Sequence, residues 1–183
     1  MILWLNGSFG VGKSTTAEIL HGYLPRSHIY DPEQVGYFLW HIFPREMKRK
    51  GDFQDIPVWR YINYDIIRYL YDTYDGDLII PMTIADVRCY RDIILRLEAD
   101  GAELLHFILT ASRQSIAERL LKRGEPLGSW PEQQIERCLR AFEKDIRGIA
   151  IDTSHTDAQG AADAILNAWR AAKNAPAKEF CTP

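Results

Sequence analysis

Eight residues near the start of the chain have the types and spacing of a phosphate cradle. Gly7-Ser8-Phe9-Gly10-Val11-Gly12-Lys13-Ser14 reads G-x-x-x-x-G-K-S. Glycines admit backbone conformations that a Cβ would obstruct, so successive N–H groups can converge on one anion. The partial positive charge of a following helix N-terminus falls on the same point. Lys13 adds a mobile charge for the β- and γ-phosphates, and the Ser14 hydroxyl is placed to ligate Mg²⁺. The apolar run Ile2-Leu3-Trp4-Leu5 leads into the motif and a helix-period pattern leaves it. In that context the motif predicts a site for ATP with Mg²⁺. Its binding residues are Gly7, Ser8, Phe9, Gly10, Val11, Gly12, Lys13, Ser14 and Thr15.

Phosphoryl transfer asks for two things more: an acid facing the acceptor, and cations for the charge that develops. Asp31, with Glu33 two residues on, can take or orient the proton of an acceptor hydroxyl and can help Ser14 to hold Mg²⁺. Asp31-Pro32 is equally a helix start, an N-cap followed by proline at the first helical position. The two roles are compatible, because capping uses one carboxylate oxygen. Glu33 in a first helical turn has a dipole reason to be there. Arg119, Lys122 and Arg123 lead into the Gly- and Pro-rich stretch Gly124-Glu125-Pro126-Leu127-Gly128, which has the composition of a lid, and Arg137 and Arg140 follow it on the next helix. Arginines in these places either bind the triphosphate, with Arg119 and Arg123 joining Lys13 as catalytic cations, or belong to a solvated helix face. Asp152-Thr153-Ser154 follows the last strand, either as a place of adenine-edge contacts or as an ordinary strand-to-helix turn, with Asp152 the binding residue of the first reading. Thr83 and Arg88 can also reach an acceptor.

The elements that must position these groups alternate down the chain. Strands are predicted over Ile2–Asn6, His28–Tyr30, Asp77–Met82, Glu103–Thr110 and Ile149–Asp152. Helices are predicted over Lys13–Leu24, from Pro32 through Ile42, over Pro57–Tyr74 and over Val87–Asp100. Further helices should open at Ser112, at the capping box Ser129-Trp130-Pro131-Glu132, and at a second box beginning at Thr156. Such alternation gives a parallel sheet covered on both faces. The predicted fold is α/β: a three-layer αβα P-loop NTPase domain with a five-stranded parallel sheet, of the nucleoside or small-molecule kinase type. Ligands of such sheets sit at the carboxyl ends of the strands. Strand three ends in Pro81-Met82-Thr83 rather than in an apolar run followed by Asp, and no guanine-reading N-K-x-D is present, which sets aside motor ATPases and GTPases. One domain over residues 1–175 is expected, with acceptor-binding helices at 32–74, a lid at 119–130, and a disordered tail at 176–183.

Composition agrees with a single core. The chain has 183 residues, is 46% hydrophobic and carries a net charge of −3. That balance gives no basic footprint for nucleic acid. No signal peptide and no run long enough to span a bilayer is seen, so a cytoplasmic protein is expected. The three cysteines are scattered, without metal-ligand spacing. Residues 37–74 hold eleven of the twenty-one aromatics. Trp59, Ile62, Ile66 and Tyr69 recur at helical spacing, but two helices cannot bury all eleven. The surplus, with Arg60, Asn63 and Asp65 beside it and Phe9 in the P-loop, suits a flat ligand with polar edges such as a nucleobase or sugar.

The P-loop together with Tyr30-Asp31-Pro32-Glu33, Asp52-Phe53-Gln54, Trp59-Arg60, Asn63-Tyr64, Asp72-Thr73-Tyr74 and Pro81-Met82-Thr83-Ile84 resembles the tunicamycin resistance proteins over roughly the first 150 residues. The resemblance implies an ATP-binding P-loop protein that protects against tunicamycin, a uridine-containing nucleoside with a sugar and a fatty acyl chain. The expected reaction is phosphoryl transfer from ATP to a hydroxyl of tunicamycin or a similar nucleoside. The alternatives are an ATP-dependent protein that sequesters the drug without chemistry, and a kinase of a small metabolite or nucleotide.

Overall fold

The computed structural model describes residues 1–47 and 52–174; the side chain of Phe53 and the predicted tail lie outside the described residues. β1 (Ile2–Gly7), β2 (Ser27–Ile29), β3 (Asp77–Pro81), β4 (Leu104–Thr110) and β5 (Ile149–Asp152) form one sheet in the order β2-β3-β1-β4-β5. Every pairing is parallel, with β1 at the centre: Leu3 is opposite Ile79 on one side and Leu105 on the other. A central parallel strand is covered on both faces, which explains its unbroken apolar run.

Successive side chains of β1 serve the two faces in turn. Ile2 and Trp4 enter a core with Val35, Leu39, Trp59 and Ile67. These come from α2 (Glu33–Ile42) and α3 (Pro57–Thr73). Leu3 and Leu5 enter the opposite core with Ala17 and Leu20 of α1 (Lys13–Tyr23). The helix between β3 and β4 is α4 (Val87–Cys89), a π-helical stretch (Tyr90–Leu95) and α5 (Arg96–Ala99), where periodicity predicts one uninterrupted helix. The chain continues through α6 (Arg113–Lys122), α7 (Trp130–Gln133) and α8 (Ile135–Lys144), and after β5 comes α9 (Ala158–Asn174).

Helix starts follow the predicted caps at Asp31 and Ser112. Asp31 Oδ1 accepts from the Glu33 N–H at 2.9 Å, and Ser112 Oγ from the Ser115 N–H at 3.1 Å. The later two differ. Ser129 makes no side-chain cap and its hydroxyl lies buried without a partner; the Gln133 N–H goes to the Ser129 carbonyl instead. At α9 the cap is Asp157, which accepts from the Gly160 N–H at 2.9 Å, one residue later than the predicted Thr156. A carboxylate is the stronger acceptor at a positively polarised helix end.

The end of β1 is fixed by one buried carboxamide. Asn6 Oδ1 accepts from the Gly7 N–H and the Ile84 N–H, each at 2.8 Å, and Nδ2 donates to the Ile84 carbonyl at 3.0 Å. The second Nδ2 hydrogen reaches His106 Nε2 on β4 at 3.1 Å. This last bond needs a neutral imidazole with Nε2 unprotonated, and burial holds the His106 pKa down to about 4.

Two predictions come from this clamp. Asn6→Ala leaves three buried backbone groups unpaired and should cost about 3 kcal/mol by chemical denaturation; a loss under about 0.5 kcal/mol would mean that water replaces the amide. For His106, the unfolded chain takes a proton near pH 6.5 whereas the folded one resists down to about pH 4. The unfolded state therefore binds more protons in that window, and stability falls on acidification by up to about 1.4 kcal/mol per pH unit. His106→Gln, which keeps an acceptor and cannot titrate, should flatten the melting-temperature profile between roughly pH 4 and 6.5.

Candidate functional site

The loop joining β1 to α1 turns on residues that only glycine suits. Gly7 sits at φ +142°, where an added Cβ would lie 2.5 Å from the Leu109 carbonyl oxygen. Gly12, at φ +111°, is the residue from which α1 starts. The loop is held from below: Thr83 Oγ1 donates to the Gly7 carbonyl at 2.8 Å. Lys13 folds back over the loop and donates to the carbonyls of Gly7 at 3.0 Å and Ser8 at 2.9 Å. Burial holds its ammonium down to about 8. An anion in the cradle offers that ammonium a stronger acceptor than either carbonyl.

Three cavities meet around the loop. The first, about 520 Å³, lies between Gly10–Gly12, Thr15, Thr16, Arg119, Lys122, Arg123, Thr153 and the start of α9. The second, about 330 Å³, faces the cradle and includes Phe9, Lys13, Ser14, Asp31, Glu33 and Arg123. The third, about 540 Å³, is enclosed by Phe9, Glu33, Tyr37, Trp40, Asp52, Met82, Glu125, Trp130 and Pro131. The cradle thus has an open cavity beside Arg119 and Thr153 on one side and an aromatic-walled chamber on the other.

Among the loop residues, Gly10, Val11, Gly12 and Thr15 line the first cavity, and Phe9, Gly10, Gly12, Lys13 and Ser14 the second. Gly7 and Ser8 lie beneath the loop, and the Ser8 hydroxyl donates to the Phe9 carbonyl. Asp31 borders the second cavity. Both of its oxygens are engaged by its own helix start, Oδ1 by the Glu33 N–H and Oδ2 by Gln34 Nε2 at 3.1 Å. Glu33 is half-buried, and its carboxyl is raised by burial first and by the charge of Asp31 second. The Tyr37 hydroxyl hydrogen-bonds to it.

The two arginines differ in place. Arg119 is fastened between the P-loop and the β5 turn: its guanidinium donates to Val11 O at 3.2 Å, to Thr153 Oγ1 at 3.0 Å and to the Thr153 carbonyl. So engaged, it forms a wall of the first cavity. Arg123, one turn on, borders both the first and second cavities. Asp152 is exposed and accepts from the Ser154 N–H at 2.8 Å; Thr153 is the residue of this turn that faces the cavity.

Of the eleven aromatics in 37–74, Tyr37 and Trp40 line the third cavity, Trp59 and Tyr64 are core, and Phe38, Tyr61 and Tyr69 are exposed. The remaining ring walls come from Phe9 and Trp130, whose rings meet edge to face at 5.0 Å. Of the polar neighbours singled out in α3, Asp65 is exposed and does not line the chamber, and the other two are structural. Arg60 pairs with Asp92 at 2.9 Å and donates to the Gln54 carbonyl, while Asn63 accepts from Tyr30 and donates to Trp59 O. Thr83 supports Gly7, and Arg88 is an exposed partner of Asp86 and Asp55. Asp52, Glu125 and Thr156 line the cavities without having been assigned to a site from the sequence. Asp52 follows no strand, and Thr156 reads equally as a helix cap.

No protein-family model and no curated protein matches the chain. Solved structures do. The tunicamycin resistance protein of Deinococcus radiodurans is 32% identical, with 92% of this chain and 94% of that one covered and a TM-score of 0.78. The thymidylate kinase of Candida albicans is 14% identical, with 94% and 92% covered and a TM-score of 0.66. A gluconokinase from Sinorhizobium meliloti 1021 is 19% identical, with 94% and 93% covered and a TM-score of 0.62. The last two share the fold, that of a P-loop kinase-like αβα domain. Among the described residues no helix is long and apolar enough to cross a membrane.

Lys13→Ala should abolish ATP binding in titration calorimetry while leaving the melting temperature nearly unchanged, since it removes a cation and not a core contact. Near-normal ATP affinity in that variant would show that the loop is not the phosphate site.

Proposed function

The chain belongs to the tunicamycin resistance protein family, and from that membership and the geometry of its site we propose that it is an ATP-dependent phosphotransferase acting on tunicamycin or a similar nucleoside. The observation that carries the reading is the junction of two cavities. An aromatic-walled chamber of about 540 Å³ adjoins the phosphate cradle, and Phe9 and Glu33 line both. A chamber of that volume with ring walls and acidic edges suits a nucleoside or sugar whose hydroxyls donate hydrogen bonds.

In this reading adenosine occupies the cavity walled by Arg119 and Thr153, and the triphosphate lies along the loop to Lys13. Arg123, beside both cavities, balances charge as it spreads over the transferring group. Arg119 acts at one remove, by holding the loop against β5. The stretch 119–130 serves as a lid, its Glu125 and Trp130 closing the acceptor chamber. The residues suit Mg²⁺ bound jointly with substrate: Ser14 lines the phosphate-side cavity, Asp31 beside it is engaged through both oxygens by its own helix start, and no cluster of three metal-ligating side chains exists among the described residues. Mg²⁺ characteristically takes one or two protein ligands and fills its shell with phosphate oxygens and water. It would supply positive charge to the β- and γ-oxygens when bound.

Incubation of the full chain with ATP, Mg²⁺ and tunicamycin, followed by mass spectrometry of the drug, tests the proposal. The expected outcome is a gain of one phosphoryl group with matching ADP release. Tight binding of unchanged drug would replace the proposal with sequestration. Transfer to a simple sugar or nucleotide in preference to the drug would replace it with a metabolic kinase.

A further inference from the structure

We propose that Glu33, rather than the strand-end acid Asp31, is the carboxylate that touches the acceptor hydroxyl. This rests on the kinase reading above and names the group that serves its reacting end. The acceptor oxygen must lie in the aromatic chamber while it faces a phosphorus held in the cradle, so its partner must border both spaces. Among the described residues only Phe9 and Glu33 do so, and the Phe9 side chain carries no group that could take a proton. Asp31 borders the phosphate side alone, its two oxygens accepting at 2.9 and 3.1 Å from the start of its own helix. Two other acids line the chamber, and neither reaches the cradle. Asp52 is also held in place, by the Gln54 N–H, by Gln54 Nε2 and by Arg137 at 3.5 Å. Glu125 sits across the chamber, in the loop before α7.

Glu33 has the support that such a group needs. Tyr37 stands one helical turn on, at the i+4 spacing that brings side chains together. Its hydroxyl bonds to the Glu33 carboxylate, and it lines the same chamber. The helix start fixed by Asp31 sets the direction in which Glu33 projects, which gives Asp31 a positioning role. The step balances simply. The acceptor oxygen forms a bond to the γ-phosphorus, and the bond from that phosphorus to the β,γ-bridging oxygen breaks with its electron pair leaving on ADP. The hydroxyl proton passes to the Glu33 carboxylate and thence to solvent. Because the transition state is loose, alignment is the larger part of the contribution.

The test compares Glu33→Gln, Glu33→Asp and Asp31→Asn in the full chain, each checked for an unchanged circular dichroism spectrum and ATP affinity. Two rates are read: phosphoryl transfer to tunicamycin by mass spectrometry, and slow ATP hydrolysis without drug, in which water takes the acceptor's place. Glu33→Gln should lower kcat in both by roughly 10², the usual weight of such a group. Glu33→Asp, whose carboxylate retreats by one methylene, should recover part of the loss, and Asp31→Asn should lower kcat by less than about tenfold. A Glu33→Gln rate within about threefold of the parent, or an Asp31→Asn loss as large as that of Glu33→Gln, overturns the assignment. If the parent chain phosphorylates no drug, the kinase reading fails, while the hydrolysis comparison still decides between the two acids.

Discussion

The burial of one amide side chain governs where the phosphate cradle stands. Asn6 is fully buried at the last turn of the central strand, in a place where an unpaired polar group would cost on the order of 1–3 kcal/mol. It can be satisfied only if Gly7, Ile84 and His106 are all in register around it. The segment that follows β3 and an interior residue of β4 are thereby fixed against the end of β1. From Thr83, next to Ile84, a hydroxyl reaches the Gly7 carbonyl, and Gln54 donates to the Thr83 carbonyl at 3.1 Å. The same Gln54 accepts Arg60 at its carbonyl, and Arg60 pairs with Asp92. A continuous polar thread thus ties α3 and the π-helical stretch after β3 to the floor of the P-loop.

Buried threads of this kind contribute less to net stability than to uniqueness, because each donor and acceptor is taken from water before it is repaid. Here the return is a fixed distance between two chambers. α3 in turn holds α2, since Trp59 donates to the Pro32 carbonyl at 3.0 Å, and α2 carries Tyr37 and Trp40, two of the chamber's aromatic walls. Lys13 rests on two carbonyls, and the turn carrying Gly124 and Gly128 at positive φ lies on the rim.

The sequence was most legible where one residue type is required by one conformation or one charge. The glycine pattern, Lys13 and Ser14 gave the cradle, the unbroken apolar strands gave a doubly covered parallel sheet, and Asp31-Pro32 gave a helix start. It was less legible for α3, where an excess of aromatics was read as a ligand surface. Trp59 and Tyr64 went to the core and Tyr61 and Tyr69 to solvent. Helical spacing tells which side chains share a face, not which face receives a neighbour. Ser129 and Thr156 fit capping boxes on paper, yet the cap at α9 fell to Asp157 and the hydroxyl of Ser129 was left over.

What the sequence by itself determined was local: the glycine-built loop, because consecutive residues form it through their own backbone, and the order of strands and helices, because periodicity is set by neighbours in the chain. Only the tertiary structure decided which acid meets both chambers, which arginine is fastened and which borders the cradle, and that Phe9 and Trp130, 121 positions apart, close one wall. The physical reason is that these are relations between side chains on different elements. Their distances depend on strand register and on the buried amide at Asn6, and not on spacing along the chain.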